Sequence, residues 1–209
     1  MTTKEKLKLY FEKGDYPTQN QFWEWMDSYW HKEEKIPQDS VETFEKVIPL
    51  FDEDNFIGPG IELTIPLNVK KILISAYLYE GFNYQIAKVI FNEGLEEIGQ
   101  NAFNGQNIQI IKTPSSLKSI GSYAFSNQGN QRGSGILEQI ILNEGLIKIE
   151  GYAFSSSKAK VKDLYIPATV QSVGQDAFLI PSLETVSAPA GLDLSAAGIP
   201  ATAVITYRQ

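Results

Sequence analysis

The stretch IQIIKTPSSLKSIGSYAF, residues Ile108–Phe125, decides the fold because its apolar pattern occurs four times in the chain. The other three copies occupy residues 86–103, 137–154 and 161–178. Counting the first residue of a copy as offset 0, every copy has aliphatic residues at offsets 0, 3, 9 and 12 and an Ala-Phe pair at offsets 16 and 17. A register that does not drift over four copies predicts a repeat protein.

Weaker copies of the same pattern flank these four. Upstream, the register holds from Leu63 to Ile72, and Tyr77 stands in place of the phenylalanine. Downstream, a copy opens at Leu183 but has Ser195 where an aliphatic residue belongs and lacks the Ala-Phe pair. We therefore predict about six repeats, with the last one forming a C-terminal cap from about residue 183.

A single repeat is too short to bury its own apolar face, so the repeats must stack into a solenoid with one continuous core. Offsets 3 and 5 alternate inward as in a strand, which predicts neighbouring parallel strands at residues 88–91, 110–113, 139–142 and 163–166. A second short extended or turn segment is expected around offsets 9 to 12. The Gly-x-x-Ala-Phe run that follows fits one helical turn.

Glycine follows the aliphatic residue at offset 12 in three of the four copies, as Gly99, Gly121 and Gly174. The position therefore either has little room for a side chain or needs a positive φ. The third copy departs from this rule, because it has Glu150 there and Gly151 next.

The outward strand positions form the best candidate binding face. Exposed aliphatic and aromatic residues side by side, edged by charges, are typical of a partner-binding surface. The alternatives are that another segment covers them or that they reflect only β propensity. We call this set the strand face, and its residues are Lys88, Ile90, Ile110, Lys112, Gln139, Ile141, Asp163 and Tyr165.

The pattern of residues from about 60 to 209 resembles the BspA-type leucine-rich repeats. The carrying motif is Leu-x-x-Ile with a following Pro, as in Ile166-Pro167, then Leu-x-x-Ile-Gly-x-x-Ala-Phe. It departs from that family in having no cysteine after the Ala-Phe pair. The resemblance implies a leucine-rich-repeat solenoid and a role in adhesion or protein binding, since the family's members are mostly bacterial surface or secreted proteins.

The N-terminal segment is predicted to be a small helical hairpin. Residues 3–13 fit a short amphipathic helix that ends before Gly14, and Thr18 with Gln21 forms a capping box for a second helix. That helix gathers aromatic side chains on one face, which either covers the end of the solenoid or serves as an assembly face. The proposed assembly face comprises Phe22, Trp23, Trp25, Met26, Tyr29 and Trp30.

Residues 4–32 are similar to the opening of tail-fibre or tail-associated proteins of Bacteroidetes phages and prophages. This resemblance implies a modular protein in which an N-terminal tag, residues 1–32, attaches a recognition domain to an assembly or to a second copy of the chain. Residues 33–59 are predicted to be a linker with one helical turn around residues 41–47, and residues 60–209 the repeat domain.

The composition excludes much catalytic chemistry. The chain of 209 residues has no cysteine and one histidine, so thiol nucleophiles and multi-histidine metal sites are absent. Its net charge of −7 without a basic stripe argues against nucleic-acid and anionic-membrane binding. We predict no catalytic residue, no metal and no cofactor.

The sequence therefore predicts a non-enzymatic binding module whose partner is a protein or a glycan. A free-standing BspA-like surface adhesin is the alternative, and an enzyme of unknown type is a remote one. No signal peptide and no membrane span are visible, so we expect a cytoplasmic or virion-associated protein, or a surface or secreted one if a leader was removed.

Overall fold

A computed structural model describes residues 18–26, 46–52, 55–79, 85–128 and 137–209. The chain divides into two units, with the boundary between Phe44 and Glu45. In the first unit the described element is helix α1, Gln19–Met26. The second unit consists of strands and turns, and it contains every predicted repeat.

The second unit is a solenoid whose coils contribute strands to two separate ladders. The first ladder is formed by β1 (Lys46–Asp52), β2 (Asn55–Thr64), β4 (Gln85–Ile90), β6 (Ile110–Lys112), β8 (Gln139–Ile141), β10 (Asp163–Tyr165), β12 (Thr185–Pro189) and β13 (Val204–Arg208). The second is formed by β3 (Lys71–Ile72), β5 (Glu97–Ile98), β7 (Ser119–Ile120), β9 (Lys148–Ile149) and β11 (Ser172–Val173). Apart from the antiparallel pair of β1 and β2, the paired strands are parallel, as the repeats predict.

The core lies between the two ladders and follows the predicted register. In the four regular copies every predicted inward residue is buried, except Phe91 and Val173, which are half-buried. Rings at offset 17 form one continuous stack, with centroid separations of 5.2 to 5.6 Å from Tyr77 through Phe103 and onward to Phe178. Burial and stacking of these rings add to the stabilisation that the buried aliphatic residues give the solenoid.

The predicted helical turn at Gly-x-x-Ala-Phe is wrong. The chain makes a tight turn there, in which Ala102 N–H donates to the Gly99 carbonyl oxygen at 3.3 Å. The residue before each Ala-Phe or Ala-Tyr pair is left-handed, with φ between 51° and 58°, which no α-helical turn contains. These left-handed residues are Ser75, Asn101, Tyr123, Tyr152 and Asp176.

Of the two explanations for the repeated glycine, the structure supports lack of room. A Cβ atom at Gly121 would lie 2.6 Å from the Gln100 backbone nitrogen, and none of the glycines at this position has a positive φ. Glu150 occupies the same position in the third copy and keeps the backbone hydrogen bond of the ladder, from its N–H to the Ile120 carbonyl at 2.9 Å. The backbones therefore approach closely wherever the glycine occurs.

The predicted linker, residues 33–59, is ordered as strands in its second half. β1 and β2 form a hairpin with a bulge at Leu50 and Phe51, and β2 pairs with β4 of the first regular coil. Lys46 and Val47 lie in β1, so the helical turn predicted around residues 41–47 is wrong for these two. Residues 33–45 lie outside the described residues.

The single ladder of strands predicted from the repeats is divided into three sheets. β1, β2 and β4 form one, β6 and β8 the next, and β10, β12 and β13 the last. β13, which the sequence did not predict, extends the last sheet beyond the sixth repeat, so residues 183–209 contain more regular structure than the predicted cap.

The start of α1 confirms the predicted capping box. Gln21 N–H donates to Thr18 Oγ1 at 3.3 Å, and Thr18 N–H donates to Gln21 Oε1 at 2.8 Å. The two side chains therefore satisfy backbone donors that a helix start leaves free. The other helix of the predicted hairpin, residues 3–13, lies outside the described residues.

Candidate binding face

The strand face lies where the sequence places it. Within β6 and β10 the outer residues are exposed and the middle residue is buried, because successive side chains of a strand point to opposite sides. Seven of the eight strand-face residues are exposed, and Ile141 is half-buried. Ile90 and Ile110 keep 40% and 45% of their surfaces exposed, so two large aliphatic side chains lie exposed on neighbouring strands.

A groove of about 380 Å³ opens between β4 and β6. Gln109 N–H donates to the Ala87 carbonyl at 3.0 Å where the two strands begin, but β4 and β6 belong to different sheets. The break in the ladder therefore coincides with the groove. Its lining combines buried and exposed apolar groups with three charged side chains, and comprises Ala87, Lys88, Val89, Ile90, Phe91, Glu93, Gln109, Ile110, Lys112, Thr113 and Pro114.

The three charged side chains at the groove differ in whether they have a partner within the protein. Lys88 Nζ pairs with Glu62 of the preceding coil at 3.0 Å. Glu93 accepts hydrogen bonds from the backbone N–H and the hydroxyl of Ser115, at 3.0 and 2.8 Å. In the described parts of the chain, the Lys112 side chain has neither an ion pair nor a hydrogen bond. The two lysines and two carboxylates balance one another in charge, and the Lys112 ammonium is the charged group at the groove without a partner among the described residues.

Tyr165, at one end of the strand face, makes contacts that limit its freedom. The guanidinium of Arg208 lies 3.8 Å from the centre of the Tyr165 ring, so one side of that ring is covered by a cation–π contact. The Tyr165 hydroxyl also donates to Glu144 at 3.1 Å. Tyr165 is consequently a tethered aromatic group rather than a free one, although 47% of it is exposed.

Glu144 organises the rim of the next turn as well as holding Tyr165. Burial raises the pKa of its carboxyl, but hydrogen bonds from the Ala168 N–H, the Tyr165 hydroxyl and the Thr169 N–H outweigh it, so the pKa lies below the usual range. The ionised carboxylate thus links two consecutive coils beside the strand face.

A second aromatic feature, which the sequence did not suggest, lies at the turns. Tyr123 and Tyr152 occupy left-handed positions in consecutive coils and stack at 4.8 Å with an angle of 3° between their rings. A hydrogen bond to Asp176 and the charge of that carboxylate raise the pKa of Tyr152. Because the same left-handed conformation occurs in five coils, it is part of the repeat and not a local strain at a site.

Of the proposed assembly face, Trp23 is the residue whose side chain the structure describes, and 52% of it is exposed. Phe22, Trp25 and Met26 belong to α1 by their backbone. Tyr29 and Trp30 lie outside the described residues. The structure thus brings one of the six residues to a helix surface.

No group of three or more His, Asp or Glu side chains among the described residues is placed to hold a metal ion. None of the described helices is both long enough and apolar enough to cross a membrane.

Stacked coils with a short parallel ladder on each side, an internal phenylalanine column and an open strand face define a leucine-rich-repeat protein. The family model described as "BspA type Leucine rich repeat region (6 copies)" matches residues 60–179 and 132–196. These matches cover more than half of the chain. The chain belongs to the BspA-type leucine-rich repeat family.

Among solved structures, the crystal structure of the pneumococcal vaccine antigen PcpA is similar at 29% identity, with a TM-score of 0.48. The similarity covers 63% of this chain and 30% of that chain, so the present chain corresponds to less than a third of the PcpA chain. No curated protein matches the chain.

Proposed function

We propose that this chain is a non-enzymatic binding module whose strand face recognises a protein or a glycan. The observation that carries the proposal is the groove between β4 and β6, which opens beside two exposed isoleucines and two lysines. An exposed apolar surface edged by charges is typical of a recognition site. Membership of the BspA-type family supports a binding or adhesin role.

The composition supports a function without catalysis. A chain with no cysteine and one histidine has no thiol nucleophile and no multi-histidine metal site. The adhesin version of the proposal would place the strand face at a cell surface. The assembly version would attach it through residues 1–32 to a bacterial or phage-derived structure or to a second copy.

The half-exposed Trp23 on α1 favours testing the assembly version. Light scattering on residues 1–209 and on a 38–209 truncation separates the possibilities. An oligomeric full chain with a folded, monomeric truncation would support assembly through the N-terminal segment. Two monomers, with a truncation that melts earlier, would contradict it and indicate that the segment protects the solenoid.

The binding proposal is tested by screening the full chain against a glycan array and a displayed library of random peptides. Ile141→Glu together with Tyr165→Glu, and separately Ile90→Glu together with Ile110→Glu, should weaken binding of the selected ligands by about tenfold or more. Lys158→Glu, an exposed change away from the strand face, is the control. Ligands that bind all four proteins equally would exclude the strand face as the site.

A further inference from the structure

We propose that the groove between β4 and β6 binds a peptide segment of a partner protein in which an acidic residue stands next to a large aliphatic one. This inference rests on the proposed binding function and specifies its ligand. The groove, of about 380 Å³, falls at the small end of the range of ligand pockets, roughly 300–1,000 Å³. It therefore suits a few side chains rather than an entire folded surface.

The four outward residues beside the groove alternate in chemistry. Lys88 and Ile90 stand at offsets 2 and 4 of β4, while Ile110 and Lys112 stand at the same offsets of β6. Each level of the groove therefore has one lysine and one isoleucine, on opposite strands. A ligand that presents a carboxylate beside an alkyl group matches this alternation better than a purely apolar or a purely charged one.

The charge at the groove favours an anion. The Glu93 carboxylate is already held by two hydrogen bonds from Ser115, and the Lys88 ammonium shares Glu62. Among the described residues, no carboxylate pairs with the Lys112 ammonium, so it is available to a carboxylate of a ligand. Opposite charge at a recognition site raises the association rate and rejects ligands of the wrong sign.

A peptide fits the polar groups of the groove better than a sugar does. A sugar needs several hydrogen-bond partners to replace its water, and unpaired polar groups in a site cost affinity. Thr113, one of the few polar residues in the lining, already accepts a hydrogen bond at Oγ1 from Asn143 N–H at 3.0 Å. The exposed isoleucines, in contrast, contribute most to affinity when alkyl groups of a ligand pack against them.

Selection from a displayed library of random heptapeptides on the full chain tests the proposal. We expect enrichment of peptides in which Asp or Glu adjoins Leu, Ile or Val. Fluorescein-labelled copies of the selected peptides should bind about tenfold or more weakly to Lys112→Glu and to Ile110→Ser, measured by fluorescence anisotropy. Lys158→Glu, the same charge change outside the groove, should alter binding by less than about twofold.

Thermal unfolding of each variant separates an effect on binding from an effect on folding, and we expect unchanged melting because Ile110 and Lys112 are both exposed. Selected peptides without acidic residues, or binding that Lys112→Glu leaves unchanged, would overturn the inference. If binding then responds to Ile141→Glu with Tyr165→Glu, or occurs only with glycans, the broader binding function stands. If no ligand responds to any strand-face change, both proposals fail.

Discussion

The inward and outward positions of the same short strands differ in how much they vary from coil to coil. Inward, offset 3 is Val89, Ile111, Ile140 and Leu164, which are buried and chemically alike. Outward, one residue earlier, offset 2 is occupied by exposed residues that differ in charge and polarity, namely Lys88, Ile110, Gln139 and Asp163. Repetition inside maintains the stack, and the absence of repetition outside leaves each coil free to present different chemistry to a ligand.

The largest expected loss of stability comes from truncating a buried, inward-facing ring. Phe154→Ala removes a ring that is fully buried and stacked on both sides, so it should lower the free energy of unfolding by about 3–5 kcal/mol. Tyr165→Ala removes an outward aromatic group of the next coil and should cost less than about 2 kcal/mol. Urea denaturation measures both, and a loss below about 1 kcal/mol for Phe154→Ala would show that the stack is not the core.

A smaller loss of stability is expected from adding a side chain where the backbones of two coils lie close together. Gly121→Ala places a methyl group 2.6 Å from a backbone nitrogen of the preceding coil, and the shift that this forces should cost about 1–3 kcal/mol. Ser119→Ala, two residues earlier on β7, should change stability by less than about 0.5 kcal/mol. Equal melting temperatures for the two variants would contradict the close approach.

The smallest expected loss of stability comes from substituting Glu150, which stands where the other three copies have glycine. Its carboxylate accepts hydrogen bonds from Lys148 Nζ at 2.7 Å and from the backbone N–H and hydroxyl of Ser122 at 3.1 Å. The bond from Lys148 is the main reason that its pKa lies below the usual 4.5, and the bonds from Ser122 add to it, while burial opposes them. We expect Glu150→Gln to cost less than about 1 kcal/mol at neutral pH, because the site is partly solvated.

The sign of the pH effect follows from the lowered pKa. A carboxyl that ionises more readily in the folded chain stabilises it fully above about pH 4.5, and this stabilisation disappears as the pH falls through the lower, folded pKa. The difference in melting temperature between the natural chain and Glu150→Gln should therefore narrow from pH 7 to below 4.5. Glu138→Gln, at an exposed carboxylate, serves as the control, and a difference that widens on acidification would be inconsistent with this explanation.

The inward register was predictable because it is local and repeated. Residues such as Leu117, Ile120 and Phe125 are marked by spacing alone, and their burial needs no knowledge of the remaining chain. The exposure of Lys88 or Ile110 was predictable for the same reason, since side chains alternate along a strand. The turn geometry was not, because five positions that adopt a left-handed conformation hold serine, asparagine, tyrosine or aspartate, where glycine would have been the signal.

The parts of the site that the sequence did not predict depend on distant residues. Arg208, on a strand outside the repeat register, covers the ring of Tyr165, which is 43 positions away in the chain. The groove coincides with the break between the sheets of β4 and β6, and the apolar pattern of the two copies contains no sign of that break. Long-range contacts and departures from a ladder have no local signature.

The column of stacked rings also has a consequence for how the protein unfolds. Each ring stacks on its neighbours in the column, and Phe91 adds edge contacts to Phe103 and Phe125, so each coil is coupled mainly to the adjacent coils. Truncating Phe125, in the middle, should weaken the coupling between the coils on its two sides and broaden the unfolding transition. Truncating Phe178, at the end of the stack, would instead leave one long block that retains a single transition.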